Sequence, residues 1–247
     1  MRKAVGILFL LLISVVAYAQ RFDYDLRGCT LSTDDRDKFQ KIAEYQTAFF
    51  AEVFGTQRTQ TIRVRMFGDE KKFRTGQRMV IGRIISETGI YAPLPRLVIV
   101  HKWRRYLYTV YHEMSHAVFH HHARFRPDWI DEGLAEYFKT AAIDSLGHIS
   151  LSEIAYRRAD MKKYVSDSNF TIVKTLRASN RQFHGPKQHD HYTISWGVVN
   201  FLRREHDAAF RKILYRIGTG MRSEKAIDAE YAGGVAQLEK DIVAFYK

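Results

Sequence analysis

Residues 112–116 read His-Glu-Met-Ser-His, inside a stretch where Leu107, Val110, Tyr111, Met114, Ala117 and Val118 recur with helical spacing. On a helix, imidazoles four positions apart face the same way, so His112 and His116 can reach one ion. Glu113, turned about 100° from His112, then lies beside that ion, where it can take a proton from a water. A chain with this pattern must bury a polar helix and bring a third donor to it. A catalytic zinc takes three protein ligands and leaves the fourth place to water.

Two third donors are available. His122 follows His112 at the spacing of the pattern HExxHxxGxxH. The turn in that pattern needs a glycine able to adopt positive φ, and position 119 is Phe119. The run His120-His121-His122 suits the exposed C-terminal end of a helix instead. The second donor lies in Pro127-Asp128-Trp129-Ile130-Asp131-Glu132-Gly133-Leu134-Ala135-Glu136-Tyr137-Phe138. Asp128 can cap a helix on which Glu132 and Glu136 share one face, among apolar Trp129, Leu134, Ala135 and Phe138. A carboxylate pair on a buried face needs compensation, and a cation supplies it. Glu132 is then the third ligand, and Glu136, one turn on, can hold a ligating histidine by its other ring nitrogen.

His112-Glu113-x-x-His116 followed by Trp129-x-x-Glu132-Gly133-x-Ala135-x-Tyr137 resembles the gluzincin zinc metallopeptidases. It is most similar to the small peptidase MA-like group and shares its pattern with the larger zinc aminopeptidases. The resemblance implies Zn2+ held by His112, His116 and Glu132, with Glu113 as general base and a peptide or protein as substrate. In the aminopeptidase relatives a later helix opens Tyr-x-x-Gly, and its tyrosine steadies the oxyanion. Tyr192-Thr193-Ile194-Ser195 is similar, with Ser195 in the glycine's place, which implies Tyr192 as the oxyanion donor. His189 and His191 are rivals for that role. The aminopeptidase signature Gly-x-Met-Glu-Asn is absent, so endopeptidase action is the simpler expectation. The detailed likeness covers residues 86–140 and 186–202.

The first residues read as a leader. Arg2 and Lys3 precede an apolar run over 4–16, and Ala17-Tyr18-Ala19 fits the small-x-small rule for signal peptidase. The expectation is a signal peptide over 1–19, cleaved after Ala19, and a single domain over 20–247. That implies a secreted or periplasmic protein with no stable membrane anchor. Cys29 is the one cysteine, so no internal disulfide framework exists. The formal charge is +12; losing Arg2 and Lys3 takes 39 basic side chains to 37, against 27 acidic, near +10. The charges are scattered, with Arg63, Arg65, Lys71, Lys72, Arg74 and Arg78 nearest to a cluster. No basic helix with interleaved aromatics appears, so nucleic acid is not an expected partner.

Periodicity predicts helices at 34–54, 104–122, 128–142, 150–161, 189–205, 207–217 and 235–246. Asp34 or Asp35 is the expected N-cap of the first and Gly55 its stop, and Lys71 to Phe73 are expected to begin a short helix. Strands are predicted at 61–67 and 96–101, a turn at 89–93, and 96–101 as the sheet edge along which an extended peptide lies. The fold expectation is α+β: a small mixed sheet followed by a mostly helical, zincin-like catalytic domain. Three other functions compete with peptide hydrolysis. They are a metal-binding envelope protein without proteolysis, a hydrolase of a non-peptide or cell-wall amide, and a basic structural protein of the envelope.

Overall fold

The computed structural model describes residues 21–56 and 60–247. The expected signal peptide lies outside the described residues. The elements in chain order are β1 (Arg21–Arg27), α1 (Thr33–Phe54), β2 (Thr61–Phe67), α2 (Glu70–Ile81), β3 (Gly89–Ala92), β4 (Leu97–His101), α3 (Tyr106–His122), α4 (Asp128–Phe138), β5 (Ala141–Ile143) and β6 (Ile149–Leu151). Helices α5 (Ala155–Tyr164), α6 (Val173–Leu176), α7 (Asn180–Phe183), α8 (Gln188–Glu205), α9 (Asp207–Gly218), α10 (Ser223–Glu230) and α11 (Gly234–Tyr246) complete it. The architecture is α+β, as the sequence leads one to expect.

The four-stranded sheet has the order β1-β2-β4-β3. β1, β2 and β4 run parallel, and β3 returns antiparallel to β4. The register aligns Tyr24, Val64, Val98 and Tyr91 across the sheet. Alternation then sorts the side chains. Ile62, Val64, Met66, Val98 and Val100 join the main core with α1 and α3, whereas Phe67, Leu97 and Ile99 meet Phe73 of α2 on the other face. Phe50 of α1 stacks on Phe119 of α3 at 5.0 Å and meets Phe138 of α4 edge-on at 6.0 Å. Residues 112–116 are thereby fixed between the sheet and the apolar faces of α1 and α4.

Several local expectations need correction. Ser32, not Asp34 or Asp35, caps α1, its hydroxyl accepting the Asp35 N–H at 3.0 Å. Residues 89–92 form strand β3 rather than a turn. The glycine that suggested a turn is there for packing: a Cβ on Gly89 would meet Thr109 Cγ2 at 2.3 Å. β3 therefore takes the sheet edge, and β4, the strand expected there, lies between β2 and β3. The helix expected over 128–142 stops at Phe138, where the Thr140 hydroxyl donates to Tyr137 O at 3.0 Å. Residues 141–143 then pair with 149–151, so the next helix begins only at Ala155. β1, with alternating Phe22, Tyr24 and Leu26, and α10 were not anticipated. Among the described residues no helix is long and apolar enough to cross a membrane.

Candidate metal centre

α3 carries His112, Glu113 and His116 into the space between the sheet and α4. Its N-terminal end has no side-chain cap. Packing fixes the helix instead: Val110, Met114, Val118 and Phe119 have no exposed surface. α4 brings Glu132, and its Trp129 is buried with the indole N–H donating to Ser223 Oγ at 2.8 Å. Gly133 lets α4 lie directly on α8. A Cβ there would come within 2.8 Å of Ser195 O and of Val199 Cγ2. The tryptophan and glycine of the sequence pattern therefore act by seating α4, one turn of which presents the carboxylates.

The three donors converge. His112 Nε2 and His116 Nε2 are 3.2 Å apart, and Glu132 Oε2 is 3.3 Å from the first and 3.5 Å from the second. A tetrahedral ion with ligand bonds of about 2.0–2.1 Å needs donors about 3.3–3.4 Å apart, which is the spacing found. The outward nitrogens are held by carboxylates: His112 Nδ1 lies 3.3 Å from Glu136 Oε1, and His116 Nδ1 2.7 Å from Asp131 Oδ1. With the Nδ1 protons directed at those carboxylates, both Nε2 lone pairs face inward. Glu132 Oε2 is buried and takes no hydrogen bond of ordinary geometry. Three electron-rich atoms aimed at one point call for a cation, and the group fits a metal ion.

The electrostatics agree. Burial would lower the His112 pKa, yet Glu132 and Glu136 outweigh it and raise it to about 9. His116 is likewise raised well above its ordinary value against its own burial, by Asp131 and Glu132. Glu132 is held well below the carboxylate range by His116 and His112, although burial opposes this. The cage is built for positive charge. Glu136 is further anchored by the buried Arg157, whose Nη1 also donates to Thr193 Oγ1 at 2.8 Å, and by Lys139 at 2.7 Å.

Glu113 is buried, and that burial raises its pKa, partly offset by the two imidazoles. The Tyr91 backbone N–H of β3 lies beside its carboxylate and opposes that rise. Tyr192 lies at the opposite helix, α8. Its phenol faces Glu132, and burial followed by the charge of that carboxylate pushes its pKa far above the ordinary range. The rivals are elsewhere: His189 is exposed and bound to Asp160 at 3.0 Å, and His191 Nδ1 faces Thr175 Oγ1 at 3.0 Å. His122 Nδ1 donates to Val118 O at 2.9 Å and lies outside the donor group, as expected for the helix end. His120 does not end there as a solvated residue: its Nε2 is 3.4 Å from Asp131 Oδ2 and its ring meets Tyr91 at 5.1 Å.

Sequence reasoning missed Asp131 and Arg157. Asp131 had a readable signal, since it adjoins Glu132 on α4 and can reach the second imidazole while Glu136 reaches the first. Arg157 had none, because its partners are 21 and 36 residues away.

Part of the chain matches a known family. Residues 107–222 are similar to a family described as protein of unknown function, DUF1570. That stretch runs from α3 to the start of α10 and contains all three donors, Glu113 and Tyr192. No curated protein matches this chain.

Proposed function

We propose that this protein is a zinc-dependent peptide-bond hydrolase, acting as an endopeptidase in the cell envelope or outside the cell. The observation that carries the reading is the meeting of His112 Nε2, His116 Nε2 and Glu132 Oε2 at 3.2–3.5 Å, next to the buried Glu113. Bound there, zinc supplies a Lewis acid that polarises a carbonyl and brings the pKa of a water to about 7.

The chain's own groups do the rest. A Glu113 carboxylate oxygen accepts the proton of the attacking water and delivers it to the departing amine nitrogen. Its raised pKa favours that return. The Tyr192 hydroxyl, turning from Glu132 to the substrate, donates to the carbonyl oxygen as negative charge grows. Among the described residues β3 leaves one edge of the sheet unpaired beside Glu113, and an extended peptide can add to it as a further strand. The resemblance to gluzincins favours peptides over other amides. The leader-like residues 1–19 support action outside the cytoplasm.

Elemental analysis of wild type and Glu132→Ala tests the centre. One zinc per chain in wild type, lost or much weakened in the variant, is expected; no zinc after reconstitution would refute it. Glu113→Gln is expected to keep its zinc and lose peptide hydrolysis by at least about a hundredfold. Wild-type turnover in that variant would remove Glu113 from the mechanism.

A further inference from the structure

A cavity of about 520 Å3 opens on the face of the sheet opposite α1 and α3. α2 covers only part of that face, through Phe73 on Phe67, Leu97 and Ile99. Beside it, Arg27 and Arg65 rise from β1 and β2, and Lys71 and Lys72 from the first turn of α2. Asp25 serves both arginines, at 2.5 Å and 2.7 Å. Among the described residues neither lysine is paired with a carboxylate. The nearby acids are engaged: Asp69 caps α2 through Lys72 N at 2.9 Å, and Glu70 binds Arg74 at 2.9 Å. Four cations thus meet one shared carboxylate.

The floor is apolar. Gly76 has no side chain to cover the Phe67 ring, which a Cβ at that position would approach to 2.5 Å. Met79, one turn further along α2, is left 81% exposed at the far end of the same cavity. Met79 thus adds an exposed apolar surface to a cavity whose two lysines have no carboxylate partner among the described residues. It is suited to a partner with one charged end and one greasy end. The volume lies within the range of about 300–1,000 Å3 typical of small-molecule sites.

We propose that this cavity binds a single-chain amphiphilic anion, its acidic head between Lys71, Lys72 and the two arginines and its apolar chain along Phe67 and Met79. The sheet separates this site from the metal centre, so the proposal stands apart from the hydrolase reading.

The test is calorimetric titration of the full mature chain with decyl phosphate below its micelle-forming concentration. Decanol and inorganic phosphate serve as half-ligands. Saturable one-to-one binding is expected, at least about tenfold weaker in K71A/K72A and in M79E, with either half-ligand alone at least about tenfold weaker too. Both variants change exposed side chains, so their thermal midpoints are expected to match wild type. Equal binding of inorganic phosphate would reduce the site to a plain anion patch and overturn the proposal. Undiminished binding in both variants, or uptake only by micelles or vesicles, would overturn it as well.

Discussion

Asp131 and Glu136 hold the outward nitrogens of different histidines, so their effects on the centre can be separated. Asp131→Asn keeps the shape but weakens the pull on the His116 Nδ1 proton. Metal affinity is expected to fall about 10–100-fold, read by competition with a chromogenic chelator. His120, which shares Asp131, then loses its partner as well. Unchanged affinity would mean that the 2.7 Å contact merely packs. What the sequence disclosed at this scale was local. His112, His116, Glu132 and Glu136 follow helical spacing within two consecutive helices, and a period of 3.6 residues can be counted. The support from Arg157 crosses from α5 and cannot be.

Between elements, close approach decides the outcome. Gly133 lies where α4 crosses α8, and the added methyl of Gly133→Ala would press on Ser195 O, a backbone atom that cannot rotate away. A loss of about 1–3 kcal/mol is expected, seen as a lower urea midpoint, with Tyr192 shifted relative to Glu132. A second junction joins β1, α1 and α3: Phe39 meets Tyr24 at 6.5 Å and Tyr111 at 6.2 Å. Burial raises the Tyr24 and Tyr111 phenols to about 12, Arg36 slightly opposing it at Tyr24. The unfolded phenols titrate near 10. Folding therefore keeps the neutral phenol, and its stabilisation is complete below pH 10 and is lost as pH rises toward 12. Denaturant midpoints are expected to fall between pH 10 and 11.5 in wild type and to fall less in a Tyr24→Phe, Tyr111→Phe variant. The same junction explains why β1 escaped notice. Its partner β2 is about forty residues on, and a parallel pairing leaves no turn signature between the strands. β3 was misread for the opposite reason: Gly89 and Pro93 look like punctuation, yet Gly89 is a packing glycine under α3.

For the molecule as a whole, the proposed signal peptide over 1–19 makes a prediction of its own. N-terminal sequencing of the protein recovered from its native host is expected to return Gln20, one residue before β1. Retention of Met1 would refute cleavage. The α+β class was legible because an alternating strand at 61–67 and an apolar run at 97–100 precede a long remainder with period 3.6. The order of the strands was not, because it depends on which chain edges meet.

Residues 112–136, two helices and the short connection between them, carry all three donor atoms, Glu113 and both carboxylates that face the outward imidazole nitrogens. An ion held there spans the α3–α4 joint, so occupancy and folding are linked by mass action. At a free ion concentration one hundred times its dissociation constant, the native state gains about 2.7 kcal/mol. A chelator then acts as a mild denaturant directed at one joint, and amide exchange along α3 and α4 becomes a gauge of how much metal the surroundings provide.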